Sequence, residues 1–129
     1  KGAWCNNKRI RVSKRQDLSE CLIGTGSPFG NRIYFNYYKE LEKISRITAG
    51  VRRLGAAALD LAYVSSGKID GYWEKDLNLW DVSSGVLLVK EAGGRISEPN
   101  GEKWTTQSRD ILASNTKIHT KLIENLTLL

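Results

Sequence analysis

Two carboxylates, Glu74 and Asp81, are the side chains of this sequence best placed by type and spacing to do chemistry. Glu74 closes a β-prone run that begins at Ile69, and Asp81 opens an apolar run that stops at Gly93-Gly94. The two acids therefore flank one strand-to-helix connection. A strand's carboxyl end and a helix's amino end meet there, the usual place for a ligand in an α/β protein. Asp81 reads either as an N-cap that accepts backbone N–H bonds or as a hard oxygen ligand for Mg²⁺. Its two oxygens allow both roles together. Glu74 reads either as a rim charge or as an acceptor for a substrate hydroxyl.

Two stretches of small residues could approach the same ligand. Gly24-Thr25-Gly26-Ser27-Pro28 is a turn whose glycines permit close backbone approach, or a purely structural turn. In Gly55-Ala56-Ala57 the small side chains leave helix-start N–H groups open to an oxyanion or hydroxyl, or they serve close helix packing. Other polar side chains carry plainer expectations. Lys75 and Asp76 read as solvated turn charges, and His119 as a surface histidine on the last helix. Trp4, Trp73, Trp80 and Trp104 read as packing groups. Cys5 and Cys21 lie far apart without metal-type spacing and are expected to be reduced thiols. No phosphate-binding P-loop, dinucleotide fingerprint, nucleophile elbow or zinc spacing occurs.

The elements that must hold these residues follow from periodicity. Residues 2–13 alternate around Asn6-Asn7 and predict a β-hairpin. Asp17-Leu18-Ser19 is a short linker, and Glu20 to Ile23 a buried strand. Tyr37, Leu41, Ile44 and Ile47 form one helical stripe within 36–47, and 48–51 a short strand. Residues 52–64 read as a helix buried on most sides, because the stretch is rich in Ala and apolar all round. The helix over 81–92 has a stripe of Val82, Val86, Val89 and Ala92, broadened by Leu87 and Leu88. Strands follow at 95–97 and 111–114. Asn115 or Thr116 caps a final helix with Ile118, Leu122, Ile123 and Leu126 on one face. After the hairpin the rhythm is β-α-β-α-β-α-β-β-α, which predicts an α/β layer with helices covering a mixed sheet.

The 129 residues set the scale of one ordinary domain, and no apolar run is long enough to span a membrane. Charge is uneven. Residues 1–53 carry 12 Lys/Arg against 4 Asp/Glu, and residues 54–129 carry 8 against 10. A basic front could meet nucleic acid or an anionic substrate, or be a solvated face; Lys8, Arg9, Arg11, Lys14 and Arg15 read as a hairpin strand and its exit, without the interleaved aromatics of a single-strand binder. The sequence has no methionine and opens inside a strand-like pattern, so it is expected to be a piece of a longer chain.

The run from Gly55 to Glu74, followed by Leu79-Trp80-Asp81-Val82-Ser83-Ser84-Gly85 and Glu91-Ala92-Gly93-Gly94, closely resembles the inositol monophosphatase family, its bacterial branch above all. Lys1 to Asn6, Ile10 to Ser13, Thr25 to Phe29 and Ile111 to Asn115 extend the resemblance over nearly the whole chain. It implies the carboxyl-terminal half of a layered α-β-α-β-α body of the sugar-phosphatase kind. Residues 1–16 would be a hairpin remnant of the amino-terminal domain and 17–129 the carboxyl-terminal α/β domain. It implies a cytoplasmic Mg²⁺-dependent phosphomonoesterase acting on inositol phosphate or a related sugar phosphate. Fructose 1,6-bisphosphate or a nucleotide 3′-phosphate are the alternatives within the superfamily.

By the same resemblance Asp81 binds Mg²⁺ and faces substrate, Glu74 accepts from a sugar-alcohol hydroxyl, and the Ala57 N–H touches the ring. Gly55 and Ala56 shape that turn, and Thr25 and Gly26 line the same cleft. Ala56 stands where Ser or Thr is common in the family, and Leu79 where Pro is common. The family's remaining metal ligands, in a Glu-Glu segment and an Asp-Pro-aliphatic-Asp-Gly-Thr segment, do not occur here. One carboxylate cannot hold two or three Mg²⁺ ions, so these residues alone are expected to be inactive. A homo-oligomer or association with the missing half is expected, and a contact with RNA or the transcription machinery is the non-catalytic alternative.

Overall fold

The computed structural model describes residues 2–26 and 36–128. Ser27, Pro28 and Phe29, which belong to one of the matched motifs, lie outside the described residues. The chain forms β1 (Ala3–Cys5), β2 (Lys8–Ile10), β3 (Leu22–Thr25), α1 (Tyr37–Ile47), β4 (Gly50–Arg52), α2 (Ala57–Ser65), β5 (Gly71–Glu74), α3 (Leu79–Glu91), β6 (Arg95–Ser97), β7 (Ile111–Ser114) and α4 (His119–Thr127). The order after the hairpin is the one the periodicity predicts. β1 and β2 pair antiparallel about Asn6 and Asn7, both in left-handed backbone, as a two-residue primed turn requires.

The main sheet runs β4-β3-β5-β7-β6. β3 pairs parallel with β4 and β5, whereas β7 is antiparallel to both β5 and β6. From β3 the chain first moves to one side, to β4, and then crosses back to the other side, to β5. That reversal makes the carboxyl ends of β3 and β5 a topological switch point, where an open α/β sheet leaves a crevice.

Two cores cover the two faces. On one, α2 and α3 pack Leu61, Val64, Val82, Val86 and Val89 onto Tyr72, Ile111 and Ala113. On the other, α1 and α4 pack Ile44, Ile118, Leu122 and Leu126 onto Ile23, Trp73 and Leu112. Each of the Val, Leu and Ile side chains among them contributes roughly 1.5–3 kcal/mol on burial. Strand alternation sorts the residues: Tyr72 and Trp73 are neighbours in sequence and belong to opposite cores. β1 lies against α3. The segment after the hairpin ties into the body through Val12 N–H to Ala92 O at 3.1 Å.

Several expectations change. The strand after the linker extends through Gly24 and Thr25, so these residues are sheet rather than turn. The linker itself holds a 3₁₀ turn, Leu18–Glu20, capped by Asp17. The second helix begins at Ala57, not at Arg52, because Gly55 at φ 90° breaks the run before it. Its outer side shows Leu59, and α3 shows Leu87, both exposed; an apolar run without polar interruption does not reveal which side faces the sheet.

His119 is fully buried, not a surface residue. Its Nε2 lies 2.8 Å from Ser97 Oγ and its Nδ1 2.7 Å from Ser114 Oγ. Ser97 Oγ donates to Glu98 O, and Ser114 Oγ accepts from Thr116 N. Ser97 must therefore accept from Nε2–H, and Ser114 must donate to Nδ1. The ring is neutral and bridges β6, β7 and α4, and burial holds its pKa down at about 4. Lys75 is likewise no free turn charge. It pairs at 2.7 Å with Glu40, a fully buried acid on α1 that also accepts from the Trp73 indole at 3.0 Å.

Candidate active site

At the switch point the carboxyl ends of β3 and β5 and the amino ends of α2 and α3 enclose a cleft of about 770 Å³. Thr25, Gly26, Gly55, Ala56, Ala57, Glu74 and Asp81, the seven site residues named from sequence, all line it. They come from four separate stretches of chain, and only the crossover topology brings them to one place.

Each wall has a local cause. At the start of α2 the N-cap position is Ala56, which has no side chain to cap with. Asp60 N–H is the first to find a carbonyl at helical spacing, that of Ala56 at 3.1 Å. The N–H groups of Ala57 and Ala58 make no hydrogen bond among the described residues, and both residues line the cleft. They form an uncapped helix amino end, suited to a hydroxyl or an anionic oxygen.

Asp81 is not the N-cap of α3. That position belongs to Asn78, and Asp81 is the third helical residue, reaching back so that its Oδ2 accepts from Asn78 N–H at 3.1 Å. This is the acid half of a capping box. It occupies one oxygen; Oδ1 makes no hydrogen bond among the described residues, so the cap leaves one carboxylate oxygen available.

Glu74 is half-buried at the end of β5. Its Oε1 accepts from Tyr72 OH at 2.5 Å. Burial pushes its pKa up; the Tyr72 hydrogen bond acts against that rise and the Asp81 charge adds to it. The Tyr72 phenol is itself raised, by burial first and then by the Glu74 charge. Gly26 explains the position of Glu74: a Cβ on Gly26 would overlap the Glu74 carboxyl group. Thr25 points the other way along the strand, and its buried hydroxyl donates to Trp73 O at 3.0 Å. It fastens β3 to β5 rather than presenting its oxygen to the cleft.

Sequence reasoning missed several neighbours. Asp60, on α2, is buried to 1% exposure. Its pKa is pushed up to about 7 by burial, with the Glu74 charge adding to the shift. Tyr72 hydrogen-bonds Glu74, and Arg53, Lys75 and Trp80 line the cleft. Trp80, expected to pack inside, is 79% exposed. The signal that could have found Asp60 is a lone acid inside an apolar helix, where burial without a partner is costly.

Of metal-binding chemistry, Asp81 offers one carboxylate oxygen. Among the described residues no group of three or more His, Cys, Asp or Glu side chains could hold a metal ion. The residues present fit one ligand of a Mg²⁺ site and do not complete one.

The sequence model of the inositol monophosphatase family matches residues 1–128. The inositol-1-monophosphatase of Caulobacter vibrioides is 44% identical over 98% of this chain and 50% of its own length. The Nus factor SuhB of Pseudomonas aeruginosa is 43% identical over 98% of this chain and 48% of its own. The solved inositol monophosphatase of Anabaena (Nostoc) superimposes with a TM-score of 0.92 at 39% identity, covering 99% of this chain and 51% of that one. The chain spans about half the length of the curated relatives it matches.

Proposed function

The chain belongs to the inositol monophosphatase family, and from that premise we propose that it forms one wall of the active site of a Mg²⁺-dependent phosphomonoesterase acting on inositol phosphate or a similar polyol phosphate. The observation that carries this is the convergence of Glu74, Asp81 and the open amino end of α2 on one cleft. Asp81 contributes one oxygen to Mg²⁺. When bound, the metal supplies charge for the phosphoryl oxygens and a water of lowered pKa. The chain's own residues orient the ester. The Glu74 carboxylate accepts from a ring hydroxyl. The Ala57 and Ala58 N–H groups meet a second hydroxyl or an ester oxygen, at a turn that Gly55 and Ala56 keep free of side chains. Thr25 and Gly26 fix the floor by holding β3 close to β5. Protein oxygens fixed before the substrate arrives lower its orientational cost.

Asp81 alone cannot hold the two or three ions such a mechanism uses. The remaining ligands come from the other half of the enzyme, to which the β1–β2 hairpin also belongs and with which this chain associates, either directly or in a homo-oligomer, in the cytoplasm. Phosphate release from inositol 1-phosphate with Mg²⁺ tests both statements. The whole enzyme should turn over and lose about 100-fold or more on Asp81→Asn, a loss of several kcal/mol of charge stabilisation. The 129 residues alone should release none. Turnover by them that depends on Asp81 would sink the claim that the site is incomplete. Fructose 1,6-bisphosphate and a nucleotide 3′-phosphate, run beside it, identify the ester.

A second reading rests on the relative named Nus factor SuhB and on the exposed Lys8, Arg9 and Arg11 of the hairpin region. In this reading the basic front contacts RNA or the transcription machinery. Binding to RNA that weakens with salt and is lost on neutralising Arg9 and Arg11 supports it; no binding at low salt removes it.

A further inference from the structure

Gly24 of β3 and Gly26 just beyond its end form a floor for two acids. Gly24 and Gly26 are two residues apart, so both face α2 and α3. A Cβ on Gly24 would overlap Asp60 Oδ1, and a Cβ on Gly26 would overlap the Glu74 carboxyl group. Gly24 is paired across the sheet with Tyr72, whose hydroxyl donates to Glu74. Asp60 is buried, and its Oδ1 has no hydrogen-bond partner.

Among the described residues the elements packed on α2 offer it no counter-charge. β5 brings Glu74 and Tyr72, α3 brings Asp81, β3 brings Gly24, and β7 brings no titratable side chain. Arg53 lines the cleft from the connection before α2, and Lys75 lines it while paired to Glu40. An isolated buried carboxylate next to a second acid is unfavourable enough to take up a cation. Protonation relieves that cost at Asp60, whose Oδ1 is buried without a partner.

We propose that Asp60 is a positioning residue that carries a proton beneath the cleft and so keeps Glu74 seated over Gly26 as the single anion that meets the hydroxyls of a polyol phosphate. This rests on the reading of Glu74 as a hydroxyl acceptor. Ionising Asp60 places a second negative charge below Glu74, which pushes its carboxylate away from the floor and repels an anionic ester. Asp60 thereby sets an upper pH limit on binding in the cleft.

The test is a titration of the protein carrying ¹³C-labelled Asp and Glu carboxyl groups, followed by NMR without metal or substrate. The Asp60 carboxyl should titrate with a midpoint near pH 7, and the Glu74 resonance should inflect at the same pH. Asp60→Asn should remove that inflection. A midpoint for Asp60 in the ordinary carboxylate range, or an inflection of Glu74 that survives Asp60→Asn, overturns the proposal. Should the variant fail to fold, the wild-type midpoint decides alone.

In the whole enzyme KM for inositol 1-phosphate should rise between pH 7 and 9 and stay flat in Asp60→Asn, with the pH dependence of kcat unchanged by the substitution. A wild-type KM that is flat over this range overturns the proposed pH limit. If Glu74→Gln leaves KM unchanged while the titration behaves as stated, the hydroxyl-acceptor reading fails and the proton on Asp60 stands.

Discussion

At the amino end of β5, Asp70 is buried to 1% exposure and met from three directions. Ser13 Oγ donates to its Oδ1, Arg15 approaches that oxygen at 3.3 Å, and Leu22 N–H donates to Oδ2 at 2.8 Å. Asn115 completes the cluster by donating to Ser13 Oγ and Arg15 O. Four residues along the chain, at the carboxyl end, the acids have far less. Glu74 has Tyr72, and Asp60 Oδ1 has nothing. One end uses a carboxylate to fasten the segment after the hairpin to the sheet. The other gathers negative charge and leaves it partly unanswered. Strained electrostatics of that kind mark the working end of a sheet, whereas a fully satisfied buried acid is a structural joint.

Removing the joint should cost most. Asp70→Ala leaves the buried Leu22 N–H without its acceptor and breaks the links to Ser13 and Arg15. A loss of about 3 kcal/mol in urea unfolding is expected, at the upper end for an orphaned buried donor. A loss below about 1 kcal/mol would mean that water replaces the carboxylate and that the two ends do not differ.

The pH dependence of stability should separate the ends next. The folded pKa of Asp60 is raised, so the native state binds more protons than the unfolded one between about pH 4 and 7. Stability therefore falls as pH rises through that window, by an amount on the order of 3 kcal/mol. His119 acts in the opposite sense. Its folded pKa is lowered to about 4, so its contribution is full above the unfolded value near 6.5 and is lost as pH falls toward 4. In the wild type the two opposing slopes overlap. Asp60→Asn removes one of them, and stability should then rise from pH 4 to 6.5 and level off, as followed by thermal melts. A variant with the wild-type profile would place the missing charge elsewhere.

Filling the floor has a smaller effect. Gly24→Ala pushes a Cβ against Asp60 in a packed layer and should cost roughly 1–3 kcal/mol. Combined with Asp60→Asn, the cost should not be simply additive, because the two sites touch. Smallest is Glu74→Gln, which removes a raised, half-buried charge. It should leave stability unchanged or raise it by up to about 1 kcal/mol while weakening substrate binding about tenfold, the size of one charge-assisted hydrogen bond. Equal substrate affinity in the two proteins would make Glu74 a rim charge only.

Much of this was legible in the chain. The strand and helix order follows from period-2 and period-3.6 patterns. Carboxylates and small residues at element ends marked candidates with structural alternatives beside them, and the resemblance to the family is what gathered them into one cleft. Other features were not legible for physical reasons. His119 is flanked in sequence by Lys117, Thr120 and Lys121 and is buried against Ser97 and Ser114, which arrive from β6 and β7. Glu40 is an acid in an otherwise amphipathic helix, and nothing local shows that Trp73 and Lys75 wait for it. Leu87 belongs to an apolar run whose outward member is chosen by the helix phase against the sheet.

What the sequence determined by itself are the local facts: element order, the left-handed turn at Asn6-Asn7, and the two acids flanking one connection. Each depends on residues within a few positions of one another. Which acids meet was decided only by the tertiary structure. The reversal from β4 to β5 across β3 sets Glu74 beside Asp60 above Gly24 and Gly26, while Asp70 goes to the opposite end among Ser13, Arg15 and Leu22. Charge interactions and desolvation depend on distance in space, and that distance is fixed by strand order rather than by position along the chain.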